Sequence, residues 1–241
     1  MTESVGSLYG LGIGPGDPEL ITVKALRLLR SADIVAYPVA DRNKEGFAYS
    51  IVKGYLTPEQ TQVPLYFPFK LEQSSQPYYD LAAQTLAQYL EIGWNVAVLC
   101  EGDPFFYGTF MYIYERLSSQ FPTEVVPGIS SIMASAAALG VPLTYRNDVY
   151  LVLSAILPAS VLKAKLAVAD AAVIIKLGRH FSKVVEVLQE LGLYERAKYI
   201  ENATTSEQRI IAIADVNIQE VPYFSMIIIP SQWQGSNIDE I

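Results

Sequence analysis

The chain has 241 residues, 51% of them hydrophobic and 17% charged, with a net charge of −8. That is material for one large or two small packed domains and too little charge for disorder, and the acidic balance argues against nucleic acid or an acidic membrane as the main partner. No apolar run reaches the roughly 18 residues a membrane-spanning helix needs; nothing at the N-terminus reads as a secretory signal and the single cysteine, Cys100, closes no internal disulfide, so the expected compartment is the reducing cytoplasm.

In chain order, Ser7 to Gly12 predicts a first strand running into a glycine-rich loop, and 22–30 show apolar positions at helical spacing. Asp33 to Tyr37 is a second strand, Pro38 to Gly46 a polar loop, and Phe47–Tyr55 a helix. A strand at Val63–Phe67, a helix over 76–92 and a buried strand at Asn95–Cys100 complete a β-then-α rhythm that predicts a mostly parallel sheet. The rhythm restarts with a strand at Thr123–Val126, a helix of small residues over 127–140 and an irregular connection over 141–148. Strands at Tyr150–Leu153 and Ala171–Lys176 alternate with helices near 159–168 and 181–191. Lys198–Glu201, Gln208–Ile213 and Phe224–Ile229 follow as strands with little room for helices between them, so part of this second sheet is expected to be antiparallel. The domain break is placed at 118–123, giving an N-terminal α/β domain over 1–120 and a C-terminal α/β domain over 121–241.

Three segments have the residue types of a ligand site. Gly10-Leu-Gly-Ile-Gly-Pro15-Gly-Asp-Pro18 directly follows the first strand, where glycines let a ligand approach the main chain. It is not the dinucleotide fingerprint, because Pro15 stands where the third glycine belongs. It reads equally as a tight connection with Asp17 as a helix cap and Pro18 at the first helical position. Glu101-Gly-Asp103-Pro-Phe-Phe106-Tyr107-Gly108 leaves the carboxyl end of a buried strand, the usual place for ligands in an open α/β sheet. Its carboxylates suit a ribose or an amino group and its aromatics a flat ring; alone, it reads more readily as a turn with Asp103 capping the next helix. Val126-Pro-Gly-Ile-Ser130-Ser131 opens the small-residue helix, offering hydroxyls and free amides, or simply a serine cap. One histidine, His180, and one cysteine leave no zinc ligand cluster, and no nucleophile elbow or Walker loop is present.

In this order the segments GIGPGDPELIT, EGDPFFYG and VPGISSIMASAAALGVPL resemble the three main motifs of the tetrapyrrole methylase superfamily. IIKLGRH and ENATTSEQRI resemble its C-terminal signatures, so the likeness runs from about residue 7 to residue 230. YPVADRNKEGFAYSIV, KLGRHFSKVVEVLQELGL and YFSMIII are similar to the members that methylate carbon-20 of precorrin-2. The resemblance implies two αβα domains with the cofactor in the cleft between them, a homodimer, S-adenosylmethionine as cofactor, no protein-bound metal and a tetrapyrrole substrate. Cofactor contacts would fall on Pro15, Glu101, Gly102, Asp103, Phe106, Ser130, Ser131, Leu177 and Ala203, several through the main chain. Arg42, Tyr107, Arg146 and Arg179 are the candidates for holding the substrate, and Tyr223 for handling its proton, beside Asp103 and Tyr107. Each is also readable as a solvated charge or a packing residue. The sequence departs from the uroporphyrinogen-III methylases at Pro38, where those carry an aspartate after the tyrosine of the second strand. Metal-free precorrin-2 and cobalt-factor II stay open as substrates, as does another methylase of the superfamily acting on ribosomal RNA.

Overall fold

The computed structural model describes residues 4–68 and 74–232. It divides into two compact units, Met1–Ser131 and Ile132–Ile241. In the first, strands β1 (Leu8–Gly12), β2 (Ile34–Val39), β3 (Thr61–Tyr66), β4 (Val96–Cys100) and β5 (Thr123–Val126) form a sheet in the order β3-β2-β4-β1-β5. Every pairing in it is parallel. Helices α1 (Val23–Ser31), α2 (Phe47–Val52), α3 (Gln76–Glu91) and α4 (Phe110–Leu117) cover its two faces. The period-2 alternation of β4 shows how: Val96, Val98 and Cys100 pack with α3 and α4, while Ala97 and Leu99 pack with α1 and α2.

The helix ends follow local chemistry. Thr22 caps α1 by accepting the Ala25 N–H at 3.2 Å. At the other end of α1, buried Gln60 donates to the carbonyls of Leu29 and Ala32 at 2.7 and 2.8 Å, so two acceptors at the helix end are satisfied by one side chain. Asp17 accepts the Glu19 N–H at 2.8 Å, with Pro18 opening a 3-10 turn rather than an α-helix.

The second unit holds α5 (Ser131–Leu139, which starts one residue before it), β6 (Tyr150–Ser154), α6 (Ala159–Leu166), β7 (Ala171–Ile175), α7 (Phe181–Glu190), β8 (Lys198–Glu201), β9 (Arg209–Ile211) and β10 (Ser225–Ile229). Its sheet runs β6-β7-β10-β8-β9, parallel only between β6 and β7 and antiparallel elsewhere, as the short spacing of the last strands requires. Ile227 and Ile229 pack under α6 and α7, and Met226 and Ile228 pack under α5.

Two expectations are corrected. The break expected at 120/121 falls ahead of β5, and because β5 pairs with β1 the chain leaves the first unit only after Ser131. Gly10 is not held open for a ligand: a Cβ there would fall 2.3 Å from Cε1 of buried Phe110 on α4. Gly10→Ala is therefore expected to destabilise the fold by about 1–3 kcal/mol through overpacking. In urea unfolding, a double-mutant cycle with Phe110→Leu should show coupling of about 0.5 kcal/mol or more; strict additivity would mean that the ring is not what excludes the methyl.

Candidate active site

The sheet order places β1 between β4 and β5, so the loops that leave their carboxyl ends are neighbours. They touch main chain to main chain. A Cβ on Gly12 would sit 2.4 Å from the Gly128 nitrogen, and one on Gly128 would sit 2.0 Å from the Gly102 oxygen, so only glycine fits at either position. Gly102 N–H donates to the Gly14 carbonyl at 2.8 Å, and Ile13 N–H to the Cys100 carbonyl at 3.0 Å. Asp103 completes the closure: one carboxylate oxygen accepts Phe105 N–H at 2.9 Å and the other accepts Gly128 N–H at 3.1 Å. Asp103 thus makes a turn and ties two motif loops together, and it does not cap α4, which begins only at Phe110.

The structure therefore brings together Pro15, Glu101, Gly102, Asp103, Ser130 and Ser131 in the first unit. Pro15 is buried in the loop; Phe106 and Tyr107 are exposed beside Asp103, their rings edge to face at 5.0 Å. Burial raises the Glu101 carboxyl above its ordinary value, opposed by hydrogen bonds from its own N–H and from that of Ala48 in the first turn of α2. Burial also pushes the Cys100 thiol well up, with the carboxylates of Glu101 and Asp103 adding to it. Cys100 is a core thiol under the site, not a nucleophile. Arg42 projects from the exposed loop after β2, its guanidinium stacked over Tyr66 at 4.7 Å.

In the second unit a matching gathering forms at one end of the sheet. Leu177 follows β7, Ala203 follows β8, and Tyr223 and Phe224 precede the antiparallel β10, with Asn202 N–H donating to the Phe224 carbonyl at 2.7 Å. Leu177 and Ala203 are buried, Tyr223 is exposed, and Arg179 is exposed in the 3-10 turn after Leu177. Glu201, only 5% exposed, accepts from the Tyr199 hydroxyl at 2.9 Å and pairs with Arg209 at 3.4 Å. His180 ends the 3-10 turn, its N–H bonded to the Leu177 carbonyl; burial, then Lys183 and Arg179, lower its pKa, leaving it neutral at pH 7. Arg146 is not part of this gathering. Its turn lies between Leu143, bonded to Ser231 beyond β10, and Val149, bonded to Asp170 ahead of β7, at the opposite end of the sheet. That opposite end also carries an open depression of about 540 Å³ bordered by Tyr194, Lys198 and Ile211, which holds none of the candidate residues.

Backbone strain marks the same segments. Among the described residues, the non-glycine residues with positive φ are Tyr107 (57°), Arg146 (40°), Lys176 (61°), Asn202 (46°) and Thr204 (68°). Four of them fall in the motif segments, each at a cost of about 1–2 kcal/mol, and such strain collects where function requires it; Arg146 lies in the turn at the opposite end of the second sheet. The sequence reading missed Gly128, because it acts through its backbone N–H; a proline-glycine step after a strand is the trace it leaves. Among the described residues, no group of three or more His, Cys, Asp or Glu side chains is placed to hold a metal ion.

Comparison with known proteins agrees with this geometry. Residues 7–217 match the family of Tetrapyrrole (Corrin/Porphyrin) Methylases. The chain is 42% identical to the cobalamin biosynthesis protein CobIJ of Mycobacterium bovis over 93% of its own length, and spans 46% of that longer protein. It is 38% identical to the precorrin-2 C(20)-methyltransferase of a Sinorhizobium, covering 94% of this chain and 96% of the relative. A Salmonella typhimurium protein named cobalt-precorrin-2 C(20)-methyltransferase is 33% identical, with 95% and 98% covered. A solved uroporphyrin-III C-methyltransferase from Thermus thermophilus, complexed with S-adenosylhomocysteine, superposes with a TM-score of 0.66 at 25% identity, covering 93% of this chain and 92% of that one. With its motif loops closed on one another and the family pattern running through both units, the chain belongs to the tetrapyrrole methylase family.

Proposed function

We propose that the chain is an S-adenosylmethionine-dependent methyltransferase that adds a methyl group to carbon-20 of precorrin-2 in cobalamin biosynthesis. The observation that carries this reading is near-complete mutual coverage with the Sinorhizobium precorrin-2 C(20)-methyltransferase, joined to a cluster of motif loops at the carboxyl ends of β1, β4 and β5 whose glycines let them close on one another. Supporting a cofactor beside this cluster are the start of α5 at Ser131, directly after the loop that follows β5, and the exposed ring of Phe106. Contacts are assigned to Pro15, Glu101, Gly102, Asp103, Phe106, Ser130 and Ser131 in the first unit and to Leu177 and Ala203 in the second. For Asp103 this is a main-chain contact, since its carboxylate already accepts two backbone N–H groups.

Adenosylmethionine supplies an electrophilic methyl on a sulfonium. Carbon-20 is a meso position made electron-rich by the pyrrole nitrogens, so the new carbon–carbon bond needs alignment and exclusion of water more than a strong base. The protein must hold both partners in line and take the proton that carbon-20 then gives up. Pro38 has no carboxylate for that step. Asp103 would have to surrender the bonds to Phe105 and Gly128 that close the site. Tyr223, exposed at the end of the second sheet that also gathers Leu177 and Ala203, is left as the proton-handling residue. Arg42, Arg179 and Tyr107 are assigned to the substrate, whose carboxylates suit guanidinium groups; Arg146 is left out because of its position. A homodimer in the cytoplasm belongs to the same reading; a lone buried thiol suits a reducing compartment, and light scattering decides the oligomer.

S-adenosylhomocysteine is expected to bind with Kd on the order of micromolar, about −8 kcal/mol. NAD should bind far more weakly, because Pro15 has no N–H to offer a phosphate; tight NAD binding in calorimetry without adenosylhomocysteine binding would end this reading. Incubation with carbon-13-labelled cofactor should place one label on carbon-20 of precorrin-2 and none on uroporphyrinogen III, as read by NMR and mass spectrometry. Exclusive turnover of the cobalt-containing substrate would move the assignment to the cobalt route, and a label at another carbon would refute the position. Tyr223→Phe should lower turnover by about 10²- to 10⁴-fold with cofactor affinity intact; an unchanged rate would return Tyr223 to a packing role.

A further inference from the structure

Strands β8 and β9 form an antiparallel hairpin in which Glu201 is the register partner of Arg209, and their side chains pair at 3.4 Å. The loop between them, 202–208, contains Ala203, which is buried in one cluster with Ile132, Ala136 and Met226. This loop is held in an unfavourable backbone shape. Asn202 and Thr204, on either side of Ala203, have φ of 46° and 68°. Asparagine tolerates that region, but a β-branched threonine is crowded there by its own side chain. Such a residue keeps a left-handed conformation only where its surroundings outweigh the strain. Here they do so bond by bond. The Asn202 N–H donates to the Phe224 carbonyl, in the loop before β10, at 2.7 Å. The Asn202 carbonyl accepts the N–H of Thr205 at 3.1 Å and its hydroxyl at 2.8 Å. The Thr205 hydroxyl in turn accepts the Glu207 N–H at 3.1 Å. The N–H of Thr204 itself goes to a side chain: Oε1 of Gln208 accepts it at 2.7 Å, while the Gln208 N–H donates to the Thr205 carbonyl at 3.1 Å.

We propose that Gln208 is a positioning residue: its side-chain carbonyl holds Thr204 left-handed and so fixes the main chain of Ala203 for the cofactor. This rests on the function proposed above, in which Ala203 is a cofactor contact. Gln208 is exposed, so water could satisfy the Thr204 amide in its place, and folding the long side chain back over the loop loses rotamer freedom. The bond therefore adds little to stability. What water does not supply is a fixed direction for that amide, and the direction of the Thr204 peptide sets where the preceding residue lies. The same loop is tied through Asn202 to the carbonyl of Phe224, the residue after Tyr223, so its shape is shared with the segment assigned to the proton step.

The test uses Gln208→Met and Gln208→Glu in the full chain. Methionine keeps the length of the side chain but ends in a weak acceptor, whereas glutamate keeps an oxygen in place. Both variants should fold, since position 208 is exposed. In Gln208→Met, hydrogen exchange of the Thr204 amide, read by NMR, should accelerate about three- to tenfold, the loss of one net hydrogen bond. The Kd for S-adenosylhomocysteine should rise by a similar factor in calorimetry. With precorrin-2 as substrate, KM for adenosylmethionine should rise with it while kcat stays within about twofold. Gln208→Glu should return exchange and Kd to within about twofold of wild type. Unchanged Thr204 exchange in Gln208→Met would overturn the lock. Faster exchange or a lower melting temperature with unchanged Kd would overturn the positioning role and leave Gln208 a staple of its own loop. Weakened binding in both variants, with Thr204 still protected in Gln208→Glu, would make the amide a direct cofactor contact and overturn it as well. A wild-type protein that binds no S-adenosylhomocysteine would instead overturn the function proposed above, whereas failure of this inference alone leaves wild-type binding intact.

Discussion

The contact on which the first unit depends is the meeting of three main chains at Gly12, Gly102 and Gly128. It follows directly from the strand order, because β1 lies between β4 and β5 and all three run in parallel. Each strand delivers its loop to the same edge of the sheet, and the glycines remove the only atoms that would hold the loops apart. Asp103 then fastens the middle loop to the last one with a single carboxylate. A Cβ at Gly12 or Gly128 would hold the loops apart, however well the sheet beneath them packs, while Gly102 contributes its left-handed φ of 66°. The closure of these loops is thus a property of the unit's topology, expressed through backbone rather than through reactive side chains.

That explains why the site is poor in conventional catalytic groups. The lone thiol is sunk in the core, the lone histidine opens a helix, and the acidic side chains closest to the loops are already satisfied by amides. Under the function proposed above, a methyl transfer to an electron-rich carbon asks for alignment and dryness more than for reactive side chains. The second unit gathers its own loops by a different route: antiparallel β10 begins where β7 and β8 end, so loops from three strands meet at one edge. Left-handed backbone at Lys176, Asn202 and Thr204 turns the chain sharply there, and the buried Glu201, bonded to Tyr199 and Arg209, anchors the strand that carries it.

Much of this was legible in the residues. The unbroken apolar run of β4 announced a strand covered on both faces, and the close spacing after Lys198 announced antiparallel pairing. Asp17-Pro18 was readable as a turn opening with a capping carboxylate, because cap chemistry is local. What escaped the sequence was non-local. Nothing near Thr123 says that it pairs with β1 rather than starting a new sheet. Gly10 looks like a ligand glycine until Phe110, far along the chain, is seen to fill the space. Arg146 sits in a motif-like segment, but the bonds of Leu143 and Val149 carry it to the wrong end of the sheet. The family pattern identified which segments matter; only the packing separated those that hold the fold from those that face a ligand.

The strand order also has a consequence for how the protein is made. β1 precedes its partners β4 and β5 by a long stretch of chain, and its loop closes on residues that follow β4 and β5. Until the ribosome has delivered the chain through β4 the apolar strand Leu8–Gly12 has neither edge covered, and the edge that takes β5 stays open until Val126 emerges. Parallel pairings of such long sequence separation form slowly and leave strands open to misassociation meanwhile. The same topology that builds the cradle therefore makes it the last part of the first unit to assemble on a growing chain, and makes the interval before β5 emerges the period in which a chaperone has most to protect.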